Sequence, residues 1–212
     1  MSKAEAGRTL PQGWRWVRLG EVCKINPRRP ADLNRNEEEL TSFVPMSAID
    51  ARLGVILNPE TRSFGEVKNG YTYFEEDDVL FAKITPCMQN GKHAIAKGLI
   101  NGFGFGTTEF HVLRPGSEIR SDWIYRFLRQ PVILKAATAH FTGAVGQQRI
   151  PASFLENLGM PLPPLPEQRR IAALLNEQMA TVERARADIE DQINTINALP
   201  AALLRRAFNG EL

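Results

Sequence analysis

The chain has 212 residues, 43% of them hydrophobic, which is enough for one well-buried domain and an appendage. No run of about 18 apolar residues is available to span a bilayer and MSKAEAGRTL lacks the apolar centre of a secretory signal, so a cytoplasmic protein with no membrane attachment is expected. The formal net charge of +2 lacks the basic surplus of a stand-alone nucleic-acid binder, and Cys23 and Cys87, far apart and outside any CxxC pair, read as reduced packing residues.

In chain order, the alternation of Trp14 and Trp16, followed by Leu19 and Val22, predicts a strand and a short helical turn over Trp14 to Ile25, with both tryptophans in the core. Residues 26–40, NPRRPADLNRNEEEL, form an exposed polar loop by composition. FVPM, GVIL, YTYF, DDVLFAKI and EFHVL are short apolar runs cut by Gly, Pro, Asn and Asp, the pattern of a strand-rich domain with many turns. In SDWIYRFLRQPVILKAATA the period changes: Trp123, Ile124, Phe127 and Leu128 recur at helical spacing before Pro131, and a second helical stretch follows.

The brace PLPPLP then runs straight into a helical pattern. Pro166 has the fixed φ suited to the first helical position, and Glu167 lies at the positive end of the helix dipole. From Pro166 to about Leu199 neither Gly nor Pro interrupts it, a span of roughly 50 Å. Leu175, Val182, Ile189, Ile196 and Leu203 recur every seven residues, with Ile171, Ala185 and Leu199 on the adjoining seam and Gln178 and Gln192 breaking it. That spacing asks for a partner helix, the alternative being one amphipathic helix lying back on its own domain. Pro200 is expected to end or kink the helix, leaving a short second helix up to Asn209 and Gly210.

Catalytic chemistry is hard to find. His93, His111 and His140 have no metal-ligand spacing, and His111, in an alternating strand, reads as structural. Gly102, Gly104 and Gly106 mimic a nucleotide-binding loop, yet the tract runs into a strand instead of a helix. No base-methylation tetrad or nuclease cluster is present, so no cofactor is expected. A catalytic enzyme using the glycine tract and a plain coiled-coil adaptor stand as the competing readings.

Four tracts carry a family resemblance: LPQGWRWVRLGEVCKI, GFGTTEFHVLRP, FTGAVGQQRIPASFLENLGMPLPPL and PLPPLPEQRRIAALL. In this order they resemble the specificity (S) subunits of type I restriction-modification systems over nearly the whole chain. A typical S subunit has two target-recognition domains and two long helices, whereas this chain has one of each and looks like half of one. The resemblance implies an α+β fold, with a strand-rich mixed recognition domain (1–165) followed by a long helix and a short C-terminal helical segment (166–212) that pairs as an antiparallel coiled coil. It further implies a non-catalytic subunit that binds double-stranded DNA, pairs with a second copy through Ile171, Leu175, Val182, Ile189, Ile196 and Leu199, and reads a bipartite palindrome. Methylation and cleavage would belong to methyltransferase (M) and restriction (R) subunits. A truncated subunit that pairs with a full-length S subunit to alter or inhibit its specificity is the alternative.

Such a domain needs polar side chains on loops for base edges and cations for phosphates. AKITPCMQNGKHAIAKG supplies Lys83, Gln89, Asn90, Lys92 and His93 around a turn at Asn90 and Gly91. TGAVGQQRIP supplies Gln147, Gln148 and Arg149, suited to adenine and guanine, and ETRSFGEVKNG supplies Arg62 and Lys68 for phosphate. Residues 167–212 hold six Arg against seven Asp or Glu, so the remainder carries a net +3. The excess is small, and a partner subunit sharing the DNA would share the phosphate contacts.

Overall fold

In the computed structural model, which describes residues 9–144 and 147–211, the first apolar run behaves as its alternation predicts. β1 (Arg15–Arg18), a single helical turn α1 (Leu19–Val22) and β2 (Cys23–Ile25) follow without a break. Glu21 accepts the Arg18 amide at 3.0 Å and so caps the turn. After the polar loop come β3 (Leu40–Val44), β4 (Glu60–Ser63), α2 (Phe64–Val67), β5 (Thr72–Glu75), β6 (Val79–Ala82), β7 (His93–Ile95), β8 (Phe103–Gly106) and β9 (Phe110–Pro115). The helical stretch resolves into α3 (Ser121–Leu128) and α4 (Pro131–Thr138), with Pro131 at the first position of the second. Then come α5 (Ala152–Glu156), β10 (Gly159–Leu162) and α6 (Leu165–Phe208).

The strands form two four-stranded sheets, ordered β2-β9-β6-β7 and β4-β3-β8-β5, and a ribbon of β1 with β10. Among the described residues only β3 and β8 pair in parallel. Strand β6 shows how the layers stack, because its side chains alternate between two cores. Val79 and Phe81 join Leu19, Leu113, Ile124, Leu128 and Leu155 on the helical side. Leu80 and Ala82 meet Val44, Phe74, Phe110 and Val112 between the two sheets. The outer face of the second sheet carries Phe43, Phe64, Tyr73, Phe103 and Phe105.

The glycine tract is explained by this stacking. A Cβ on Gly104 would lie 2.9 Å from the Phe74 ring, and one on Gly106 would lie 2.6 Å from the Val44 carbonyl. These glycines let Phe74 close onto β8, a packing role. Cys23 is likewise a packing residue: its thiol donates to the Leu19 carbonyl at 3.0 Å, and burial pushes its pKa up to about 12. Trp14 and Trp16 are half-buried, Trp14 meeting Trp123 edge-on with ring centroids 5.6 Å apart.

Three local expectations are corrected. GVIL contributes only a bridge between Ile56 and Ile49, since Gly54 turns at φ +68 where the Tyr125 hydroxyl would overlap any Cβ. ETRSFGEVKNG is not an open loop: its first part pairs with β3 as β4, and α2 follows with Glu66 accepting the Ser63 amide. Nor does Pro200 divide the last helix, which runs for 44 residues or about 66 Å. A proline removes one i to i−4 hydrogen bond; here the carbonyl it leaves belongs to exposed Ile196, a position where solvent can serve it.

The chain divides into a unit ending at Gln168 and a second beginning at Arg169. Gln168 is fully buried and clasps the brace from within the first unit. Its Oε1 accepts the Arg120 amide at 3.0 Å, and its Nε2 donates to the Glu118 and Pro163 carbonyls at 2.8 and 2.9 Å. Gln168→Ala would orphan all three groups, with an expected loss of about 1–2 kcal/mol, read as a lower urea midpoint at unchanged slope.

Candidate nucleic-acid interface

The loop leaving β6 and the segment approaching α5 are laced together through their backbones. Lys83 donates its amide to Glu109 O at 2.9 Å and accepts the Ile150 amide at 3.0 Å, while the Thr85 amide donates to Gln148 O at 3.0 Å. Thr142 and Arg149 exchange both backbone hydrogen bonds, at 3.0 and 2.9 Å, closing the loop between them. Residues 145 and 146 of that loop, and the leading residues 1–8, lie outside the described residues. Beneath this junction His111 donates Nε2–H to Ile150 O at 2.8 Å. Asn26 then hydrogen-bonds His111 Nδ1 at 3.0 Å, and burial lowers the histidine pKa.

The lacing brings most of the candidates from two of the segments to one surface. Gln89 and Asn90 are exposed on the turn after β6, and Gln89 Oε1 accepts the Thr85 hydroxyl at 2.6 Å. Gln147 is exposed and Gln148 half-exposed on the opposing loop. These amide side chains can each donate and accept, the pattern that adenine presents in the major groove. Lys83, half-buried at the seam, has no ion pair among the described residues and suits a phosphate.

Other candidates are occupied inside the protein. Arg149 is a fork on Glu109, with contacts of 2.7–3.2 Å to both carboxylate oxygens. It also donates to Gln147 O at 2.8 Å. Hydrogen bonding from Arg149 keeps the Glu109 carboxyl below the usual range. Arg149 therefore shapes the loop that carries Gln147 and Gln148. His93 is buried, stacked on Phe81 with centroids 4.0 Å apart, and its Nδ1 accepts the Ala82 amide at 3.2 Å. Lys92 places Nζ on Met46 O and Ile49 O, at 3.2 and 3.0 Å. Arg62 lies 3.8 Å above the Phe43 ring and pairs with Glu60 at 2.6 Å, and Lys68 pairs with Glu37. Lys92, turned inward, satisfies carbonyls that would otherwise lie without partners, whereas Arg62 and Lys68 pair with exposed carboxylates at the surface. No local pattern signals the Glu109 to Arg149 pairing, because the two lie 40 residues apart. Among the described residues no cluster of three or more His, Cys, Asp or Glu could hold a metal ion, and no helix is long and apolar enough to cross a membrane.

The chain is similar to known proteins along most of its length. It is 42% identical over 180 residues to the type I restriction enzyme EcoEI specificity subunit of Escherichia coli, covering 84% of this chain and 30% of that protein. To the EcoAI specificity subunit of the same species it is 40% identical, covering 87% and 31% respectively. The chain thus spans under a third of the length of these curated relatives. Among solved structures, the HsdS subunit from Thermoanaerobacter tengcongensis superposes with a TM-score of 0.70 at 29% identity, over 86% of this chain and 46% of that one. A structure described as the basis of complex assembly and conformational transition of the type I R-M system superposes with a TM-score of 0.79 at 27% identity, over 94% and 50%. Residues 11–195 match the family described as type I restriction modification DNA specificity domain, and the chain belongs to that family.

Proposed function

We propose that this chain is a non-catalytic DNA reader. Its first unit selects bases through the joined surface of Gln89, Asn90, Gln147 and Gln148, with Lys83 on phosphate. Its helix pairs with the helix of a second copy, antiparallel, so that two identical readers address an inverted, gapped repeat. Methylation and any cleavage fall to methyltransferase and restriction subunits that the pair scaffolds. The pairing rests on one observation: along α6 the seven-residue series Val182, Ile189, Ile196 and Leu203, with Leu199 beside it, is 51–62% exposed on the chain by itself. Such a stripe is what a coiled-coil partner buries.

Light scattering over a range of concentrations tests it, comparing the wild type with Val182→Asp/Ile189→Asp. A wild-type dimer and a monomeric variant with unchanged urea unfolding of the first unit are expected. A wild-type monomer would overturn the homodimer and direct the search to a full-length specificity subunit or a methyltransferase as the partner of the helix.

A further inference from the structure

The turn carrying Gln89 and Asn90 is tied to a second exposed loop by two cations that have no place in the reading surface itself. Arg129 stands at the C-terminal end of α3, its guanidinium 5.3 Å from the centre of the Tyr125 ring. It donates Nη1 to Gly91 O at 2.9 Å and Nη2 to Ala51 O and Arg52 O, at 2.8 and 3.2 Å. Lys92 makes the parallel tie to Met46 O and Ile49 O described above. The loop over residues 46–52 therefore turns four carbonyls toward two cations on or against the reading turn. Both loops are shaped for this contact: Gly91 has φ +75, and a Cβ there would come 3.5 Å from Ala51 O. Asp50 keeps the second loop folded by accepting the Arg52 and Leu53 amides at 2.8 and 2.7 Å. Just beyond it in the chain, Leu53, Val55 and Leu57 are exposed.

We propose that Arg129 is a positioning residue for base reading: it locks the Gly91 turn and the Ala51–Arg52 loop into one surface, and so sets where Gln89 and Asn90 meet the DNA. The inference rests on the reading of that turn as a DNA contact. Arginine suits the task because its planar fork serves carbonyls of two segments at fixed angles, whereas a lysine is a point charge on a flexible stem.

Two readouts on the full-length chain test this with Arg129→Ala and Arg129→Lys. In hydrogen exchange, amides of residues 50–54 and 88–92 are expected to exchange about tenfold faster in Arg129→Ala while those of β9 stay unchanged. Faster exchange everywhere, or nowhere, would overturn the tie. In the second readout, random duplexes are selected on the wild type, and the enriched duplex is compared with a scrambled one. Arg129→Ala is expected to lose about tenfold in preference between them, with affinity for the scrambled duplex and its salt dependence held within about twofold. Arg129→Lys should restore the thermal midpoint but not the preference. An unchanged preference in Arg129→Ala would sink the positioning role, as would equal losses on both duplexes. If the wild type itself enriches no sequence, the DNA reading falls, and the exchange data alone decide the tie.

Discussion

Arg114→Met is expected to lower the stability of the first unit by about 3–5 kcal/mol, the cost of removing one partner from a buried ionic group. Arg114, on β9, donates Nε and Nη2 to the Asp78 carboxylate at 2.8–3.3 Å and Nη1 to Glu75 at 2.6 Å. Asp78 is 1% exposed and also accepts the Glu75 amide at 2.7 Å; Tyr73 donates its hydroxyl to Glu75 at 2.9 Å. Because Glu75 and Tyr73 belong to β5 and Arg114 to β9, the network fastens one four-stranded sheet to the other. Methionine would fill the space and leave two carboxylates facing each other without a cation. Urea unfolding measures the loss, and adding Asp78→Leu to the same chain should recover part of it. A loss below about 1 kcal/mol in the single variant would mean that water reaches Asp78 and that the sheets are held by apolar contact alone.

Acid is expected to weaken the first unit well before its carboxylates titrate. His93 accepts the Ala82 amide and stacks on Phe81, an arrangement that suits the neutral ring. Burial, assisted by the charge of Arg129, holds its pKa down to about 3 from an ordinary value near 6.5. His111 is lowered in the same direction, again chiefly by burial. A histidine whose folded pKa is depressed binds its proton more readily in the unfolded chain. Stability is therefore full above pH 6.5 and declines as pH falls from there toward the folded pKa. Between pH 7 and pH 5 His93 alone should cost about 2 kcal/mol, and His111 adds to it. Glu37, Asp50 and Glu109 have carboxyls held below the usual range, so their contribution is lost only at lower pH. Urea unfolding at pH 7, 6 and 5 reads the window; a flat profile across it would mean that both rings take up protons without opening the fold.

The order of strands and helices was legible wherever a single neighbour decides the outcome. Trp14 to Ile25 alternates and forms the expected strand and turn, and Trp123 to Leu128 changes period where α3 begins. The failures occur where a distant residue decides. GVIL has the composition of a strand, but the Tyr125 hydroxyl occupies the place of a Gly54 Cβ. At Pro200 local propensity predicts a break, yet the only backbone group it orphans faces solvent. The candidate site divides the same way. Surface amides were legible as polar residues around a glycine turn, whereas Lys92, His93 and Arg149 look like equally good readers until Met46, Phe81 and Glu109 arrive from elsewhere in the chain. Arg129, inside a helical pattern, gave no signal at all, because its partners are backbone carbonyls that every residue possesses.

The ribbon of β1 and β10 has its own consequence. Arg15 faces Leu162 across that ladder, and Leu165 starts α6 only three residues later. The chain thus leaves the first unit beside the strand by which it entered. Loops between those two residues can lengthen or shorten while the first turn of α6 keeps its anchor on Glu118 and Arg120. A specificity graft cut at Arg15 and Leu162 therefore has to match, besides the strand pair, only the groups that cross the cut: the Arg120 amide and Glu118 carbonyl held by Gln168, and the Trp123 ring that meets Trp14.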